Sequence, residues 1–472
     1  MTRVHFIGIC GTAMATLAAM LKTRGLDVQG SDHGVYPPMS DFLAREQIRV
    51  FDKYDAVNVT SEIDLVVVGN AISRGNPELE TVLDRKMRYC SLPEAIREHF
   101  LWDRRSIVIA GTHGKTTTTS LAAWLLTSAG EDPSLLVGGI ASNFDSSYRL
   151  GSGRDFVIEG DEYDSAFFDK TAKFLKYLPD IAVIGNVEYD HADIYPDMEA
   201  LRIAFRRLVN LIPQNGLLVL GADCPEAIAL GRMAQSPVET FGFSESADWR
   251  AGEMEPVGDH TRFEVTYRGD RLGHFEVPLY GAHNVRNALA ALAVGHAAGV
   301  SHERLRTGLR EFLGVRRRLE LRGEVRGVAV YDDFAHHPTA ILETIRAIKF
   351  TYPDKRVWAV FEPRSATSCR RIFQDDFVHA FHESGADEVV LAAVFRASLP
   401  EAERLSVDDI VKELVQRGGR ARTLPGVPEI VATIARSPRG RYRRLDVQRR
   451  VRRDSREAAG RSRAPRVLTC GP

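Results

Sequence analysis

The chain is poor in cysteine and has no long apolar run. Five cysteines in 472 residues (Cys10, Cys90, Cys224, Cys369 and Cys470) are odd in number, scattered and without metal-type spacing. That excludes a disulfide framework or a zinc scaffold and fits reduced thiols in the cytoplasm. No stretch approaches the roughly 18 apolar residues of a membrane span, and the first residues lead straight into a strand pattern. A membrane partner is therefore not expected. Lysine is absent from residues 436–472, where thirteen arginines face three acids (Asp446, Asp454, Glu457), a local charge of +10. The whole chain carries −1, which leaves −11 on residues 1–435. An acidic body argues against a nucleic-acid partner.

Ordinary apolar content (44%) and charge (26%) place the chain among soluble globular proteins, and its length suggests about three domains. The most informative stretch is Ser106 to Thr119. The apolar run Ser106–Ala110 reads as a buried strand; Gly111–Thr112–His113–Gly114 makes a turn, and Lys115–Thr116–Thr117 opens a helical pattern through Leu121, Leu125 and Leu126. Glycines let a backbone wrap a phosphate, and a helix N-terminus favours negative charge. Lys115 would reach terminal phosphates and the Thr116 hydroxyl would ligate Mg²⁺. The general phosphate-loop pattern wants a glycine where Ile109 stands, so the match is partial. Strand, turn and helix nevertheless occur in the required order, and a nucleoside triphosphate is the expected ligand.

Residues 1–101 open with a strand at Val4–Gly8, a turn containing Gly8, Gly11 and Thr12, a helix through Leu17 and Leu21, a second strand near Leu26–Val28, and Asp32. This is a Rossmann-like nucleotide-binding start, although no third glycine completes the fingerprint. On this motif alone a dinucleotide-dependent dehydrogenase is a live reading, and Asp32 could equally be a solvated turn acid. Leu65–Gly69 is another buried parallel strand, with Asn70 at the end where open α/β sheets bind ligands. Asn76 could cap a helix.

Two acid-rich stretches follow apolar strands in residues 102–313. Phe156–Ile158 leads into Glu159–Asp164, and Ile181–Ile184 leads into Asn186–Asp193, which includes Glu188 and His191. Carboxylates delivered by strand ends suit Mg²⁺ beside phosphates. Gly281–Asn287 opens an alanine-rich helix; Asn284 and Asn287 either cap and face solvent or read adenine. Residues 314–435 begin with a charged junction, Gly314–Glu320, which suits a hinge. A strand then ends in Asp332–Asp333, His336–His337 precede a helix with Pro338 in its first turn, and Arg364 could clamp a carboxylate. Adjacent histidines point different ways, which argues against both serving one metal.

The ordered motifs Gly111–Thr116, Glu159–Glu162, Asn186–Glu188 with His191, and Gly281–Asn284 with Asn287 resemble the Mur ligase family over residues 1 to about 435. The resemblance implies an α/β protein of three domains: a Rossmann-like UDP-sugar-binding domain (1–101), a central P-loop ATPase domain with a parallel sheet (102–313), and a truncated C-terminal Rossmann-like acceptor domain (314–435). It implies ATP-dependent joining of an amine to the carboxylate of UDP-N-acetylmuramate through an acyl phosphate, with ATP and Mg²⁺ as cofactors. Asp332–Thr339, Phe361–Ser365 and Tyr163–Lys170 look like the branch that adds the tripeptide L-alanyl-γ-D-glutamyl-meso-diaminopimelate. The alanine-adding branch typically has Tyr-Gly where Phe334–Ala335 stand. The implied catalytic residues are Lys115, Glu162, His191 and Asp333, with Thr116, Glu162 and His191 on the metal. ATP falls to Gly111, Thr112, His113, Gly114, Lys115, Thr116, Thr117, Asn284 and Asn287. UDP falls to Gly8, Gly11, Thr12, Asp32 and Asn70, and the acceptor to Arg364 and His336. An alternative of another class is a UDP-sugar-binding protein without catalysis.

Residues 436–472 lack hydrophobic periodicity. They read either as a basic arm or as the product of a frameshift near Arg436–Arg439 in a GC-rich gene. A shifted frame permits a Gly-Asp-Val-Thr-Val-Val strand from codons 439–444, followed by a glycine turn and a helix. If that is right, the third domain lacks its last strand and helix. Sequencing the gene tests it: the shift requires an alternative frame encoding that strand, and its absence ends the idea.

Overall fold

Three large β-sheets and a two-stranded ribbon, Asp164–Ala166 with Asp169–Ala172, organise the residues that the computed structural model describes, 1–395, 399–436 and 442–447. The first sheet has five parallel strands in the order Arg49–Phe51, Asp27–Ser31, Arg3–Ile7, Leu65–Val68, Tyr89–Ser91. Chain order reverses at Arg3–Ile7, which opens a crevice at the C-terminal edge between that strand and Leu65–Val68. Gly8 and Asn70 lie at that edge. Gly8 has φ +88° and a Cβ there would stand 3.3 Å from Ile72 Cδ1, so glycine fits both the turn and the close approach. Gly11 caps the following helix, Thr12–Thr23, whose first residues are exposed.

The core behind this sheet contains one ionisable group that explains local sequence choices. Asn76 caps the helix Pro77–Asp84 by accepting from Glu78 N (3.0 Å) and Leu79 N (3.2 Å). Glu78 itself is fully buried. Its carboxylate meets His5 Nε2 at 3.0 Å and accepts from Asn58 Nδ2 at 2.7 Å and from the Ser31 hydroxyl. Burial pushes its carboxyl up, but the hydrogen bonds from His5, Ser31 and Asn58 outweigh that and hold it below the usual range.

The central sheet has ten strands. Seven run Trp249–Val257, Val238–Gly242, Leu217–Gly221, Ile181–Ile184, Arg105–Ala110, Asp155–Glu159, Ser134–Ala141, each parallel to its neighbour. Antiparallel strands flank both ends: Ser146–Arg149 on one side, His260–Tyr267 and Asp270–Val277 on the other. Helices Lys115–Ser128 and Ala282–Ala297 pack against each other on this sheet, within a core that includes Leu121, Leu125, Val285, Leu289 and Leu292.

The third sheet runs Glu320–Val325, Val328–Asp333, Tyr442–Val447, Arg356–Phe361, Glu388–Ala392, Ala421–Leu424, parallel except for the first pair. Tyr442–Val447, beyond residue 435 where the sequence reading ends the third domain, lies between Val328–Asp333 and Arg356–Phe361. Backbone pairing holds it there, because its N–H and C=O groups pair with a strand on each side. The sequence pattern hides it, since Arg443, Arg444 and Asp446 interrupt the apolar run expected of a central parallel strand. Residues 437–441 and 448–472, and with them the rest of the frameshift expectation, lie outside the described residues.

Glu78→Ala should destabilise the first domain by about 3–5 kcal/mol, because it leaves His5, Ser31 and Asn58 buried without their acceptor; urea denaturation measures it. The depressed folded pKa means this stabilisation is complete above the unfolded value of about 4.3 and is lost as pH falls through the folded value. Glu78→Gln should flatten that part of the acid-stability curve.

Candidate active site

Sheet topology brings the site together. Arg105–Ala110 lies between Asp155–Glu159 and Ile181–Ile184, so the phosphate-type loop has an acidic stretch on each side at one sheet edge. Two glycines shape the loop. Gly111 has φ +123°, and a Cβ there would lie 3.0 Å from the Asn186 carbonyl oxygen; Gly114 has φ +81°, and a Cβ would lie 2.3 Å from Asn287 Oδ1. The Asn186–Glu188 segment braces the loop: His113 N donates to Asn186 Oδ1 (2.7 Å), Thr112 N to the Asn186 carbonyl (3.0 Å), and Glu188 N to Thr112 Oγ1 (2.8 Å). The helix then starts at Lys115, so the amides of Lys115, Thr116 and Thr117 are first-turn donors beyond the reach of intrahelical carbonyls.

Lys115 Nζ donates to both oxygens of Glu162 (2.9 and 2.8 Å) and to the Gly111 carbonyl (2.7 Å). Glu162 is only 1% exposed, and its Oε1 also meets His191 Nε2 at 3.2 Å. One carboxylate therefore joins the loop lysine to the histidine of the other acidic stretch. Burial lowers the affinity of Lys115 and His191 for their protons, but the acids around them more than offset it and both are raised. His191 adopts φ +55°, a left-handed conformation uncommon outside glycine, held by Asp190, which accepts from its N–H at 2.7 Å. On the other side, Thr116 Oγ1 donates to Glu159 Oε1 (3.1 Å), while Gly138 N donates to Glu159 Oε2 (2.8 Å). Burial pushes the Glu159 carboxyl up.

Several expected residues have neighbours of their own. Asn284 is not a helix cap; Gly281 takes that position. Asn287 Oδ1 accepts from Thr118 Oγ1 (3.1 Å), Asn287 Nδ2 donates to Asn284 Oδ1 (3.0 Å), and Asn284 Nδ2 to the Tyr280 carbonyl (2.9 Å). Asn287 thus stands directly behind Gly114, and Asn284 behind Asn287. Asp32 accepts from Cys10 N (2.7 Å) and Tyr54 Oη (2.9 Å) and so fixes the first glycine turn. Asn70 reaches across to the central domain, donating to Asp164 Oδ1 at 2.9 Å. Asp333 is buried and accepts from Leu319 N and Ala335 N, both at 2.7 Å. His336 faces Asp190 at 4.0 Å, and the Arg364 guanidinium lies 3.8 Å above the Phe395 ring, with Nη1 3.3 Å from Glu362.

Arg318 is a site residue that the sequence did not single out. Asp333 holds the loop that carries it, and Arg318 Nη2 donates to Thr116 Oγ1 at 3.1 Å. In the sequence it is one of three consecutive arginines, and only the tertiary contact separates it from Arg316 and Arg317. Glu159 was likewise visible as part of an acidic stretch, without a position of its own. Thr116, Glu159, Glu162 and His191 offer hydroxyl, carboxylate and imidazole donors around Lys115, a set that fits Mg²⁺ beside phosphate oxygens.

Known proteins give this arrangement its class. Models of the Mur ligase family match residues 3–101 (catalytic domain), 109–295 (middle domain) and 317–441 (glutamate ligase domain). The chain belongs to the Mur ligase family and is a ligase that forms C–N bonds. It is 42% identical over 393 residues to the UDP-N-acetylmuramate–L-alanyl-γ-D-glutamyl-meso-2,6-diaminoheptandioate ligase of Escherichia coli, covering 82% of this chain and 84% of that one. The solved murein peptide ligase of Psychrobacter arcticus is 34% identical with a TM-score of 0.69, and the UDP-N-acetylmuramate–alanine ligase of Thermotoga maritima is 25% identical with a TM-score of 0.76; each covers 95% of both chains. Among the described residues, no helix is long and apolar enough to cross a membrane.

Gly114→Ala should cost more than about 1 kcal/mol through its left-handed φ, and should weaken nucleotide binding further by driving Asn287 from the loop. Thermal unfolding and nucleotide titration measure the two effects, and adding Asn287→Ala should recover binding only in part, because the backbone strain stays.

Proposed function

We propose that this protein uses ATP and Mg²⁺ to join the carboxylate of UDP-N-acetylmuramate to the amine of L-alanyl-γ-D-glutamyl-meso-diaminopimelate, in the recycling of cell-wall peptides. The observation that carries the reading is Glu162 shared between Lys115 and His191 at the end of a nucleotide-type loop. A sugar carboxylate and a triphosphate repel, so the first requirement is positive charge fixed where they meet. Lys115, the first-turn amides of its helix and Arg318 supply it from the protein. Thr116, Glu162 and His191 would hold the magnesium ion, which when bound screens the phosphate oxygens. Gly8, Gly11, Thr12, Asp32 and Asn70 bind the UDP end, and Asn284 and Asn287 the adenine.

The reaction has two displacements. The carboxylate oxygen attacks the γ-phosphorus, the bond to the β-phosphate oxygen breaks, and ADP leaves an acyl phosphate. The tripeptide amine then attacks the acyl carbon, loses a proton and expels phosphate. Arg364 and His336 bind the acceptor, and Asp333 acts by positioning the Arg318 loop. Closure of the third domain on the central one excludes the water that would hydrolyse the acyl phosphate.

The T. maritima likeness favours a second reading, L-alanine as acceptor, because its TM-score is the higher. That score reflects how domains are arranged, whereas acceptor choice depends on side chains. The greater identity to the tripeptide-adding proteins, with Phe334–Ala335 in the acceptor loop, supports the tripeptide.

Phosphate release from ATP should require UDP-N-acetylmuramate together with the tripeptide. Stimulation by alanine instead would reassign the acceptor, and no release with either would refute ligation. Lys115→Ala should lower the rate by about a hundredfold or more, with UDP-sugar binding retained.

A further inference from the structure

We infer that His113, Glu188 and His337 form a separate cation site, for a transition metal of the zinc class, on the seam between the central and third domains. One ligand atom from each lies within 4.8 Å of the others. His113 Nε2 is 3.3 Å and His337 Nδ1 3.7 Å from the same oxygen, Glu188 Oε2. The three come from different places: the phosphate-type loop, the stretch after Ile181–Ile184, and the cap of the helix Pro338–Thr351.

The surrounding hydrogen bonds are those that prepare metal ligands. His337 Nε2 donates to the Tyr189 carbonyl at 3.2 Å, which assigns the proton to Nε2 and leaves Nδ1 with a lone pair turned towards Glu188. Thr339 N–H reaches the same Nδ1 at 3.3 Å, a long capping contact that an ion would replace. Thr339 Oγ1 donates to Glu188 Oε2 at 2.6 Å and orients the carboxylate. Carbonyl-held imidazole and hydroxyl-held carboxylate are the outer contacts typical of metal sites. Two imidazoles and one carboxylate with an open fourth position suit zinc; magnesium prefers oxygen donors, so this site selects against the ion that serves the phosphates. None of the three is among the magnesium-side residues Thr116, Glu162 and His191. A bound ion would tie the third domain to the nucleotide loop.

Co²⁺ is the probe, titrated into the full-length, nucleotide-free protein with Mg²⁺ in excess. One equivalent should bind with the visible absorption of a low-coordinate site and be displaced by Zn²⁺. His337→Asn and Glu188→Gln should each abolish the band, Thr339→Val should weaken binding about tenfold, and His191→Asn should leave the band in place. Zinc should raise the unfolding temperature of the unmodified protein and not that of Glu188→Gln, which settles the matter should His337→Asn fail to fold. The inference is overturned by an absence of saturable uptake, by a band that persists in Glu188→Gln, or by one lost in His191→Asn alone.

Discussion

The Glu162 carboxylate is the interaction on which the rest depends. Almost fully buried and bonded to both Lys115 and His191, it joins two loops that no local sequence preference would bring together. At 2.8 Å and an effective dielectric of about 20, its attraction to Lys115 alone is about 6 kcal/mol before desolvation is counted. A buried charge left single is strongly destabilising. Lysine, glutamate and histidine therefore hold one another in place and keep the loop charged at the spot where phosphate oxygens would enter.

The same carboxylate lies close to several of the contacts between domains. Arg318 reaches Thr116, Thr339 reaches Glu188, Thr367 donates to Asp190 beside His191, and Asn70 binds Asp164 two residues after Glu162. Polar contacts of this kind exchange with water more cheaply than the apolar contacts beside them, such as Tyr189 stacked with Phe373. Positive φ at Gly314, Arg317 and Leu319 places the backbone turn between the domains around Arg318, where Asp333 holds it through the Leu319 amide.

Much of this was legible in the sequence because it is local. The strand–glycine–lysine–helix order of Ser106–Ser128, the Asn76 cap and Pro338 in a first turn depend on backbone rules within a few residues. The ordered motifs were enough to indicate the family. The antiparallel strands 249–277 and the strand Tyr442–Val447 were not read: the first lie outside the motifs, and the second is too charged to resemble a central strand. That Asn287 lies against Gly114 could not be judged along the chain either.

By itself the sequence determined the chemistry available: which residues can carry phosphate, metal or carboxylate, and in what order along the chain. Only the tertiary structure decided which of them meet. Arg318 among three arginines, Glu162 among four acids, and His337 turned away from His336 are selected by strand order and domain contact. The physical reason is range: hydrogen bonds and ion pairs act over about 3–4 Å, and a sequence spacing of 29 or 202 residues carries no information about that distance until the sheets are assembled.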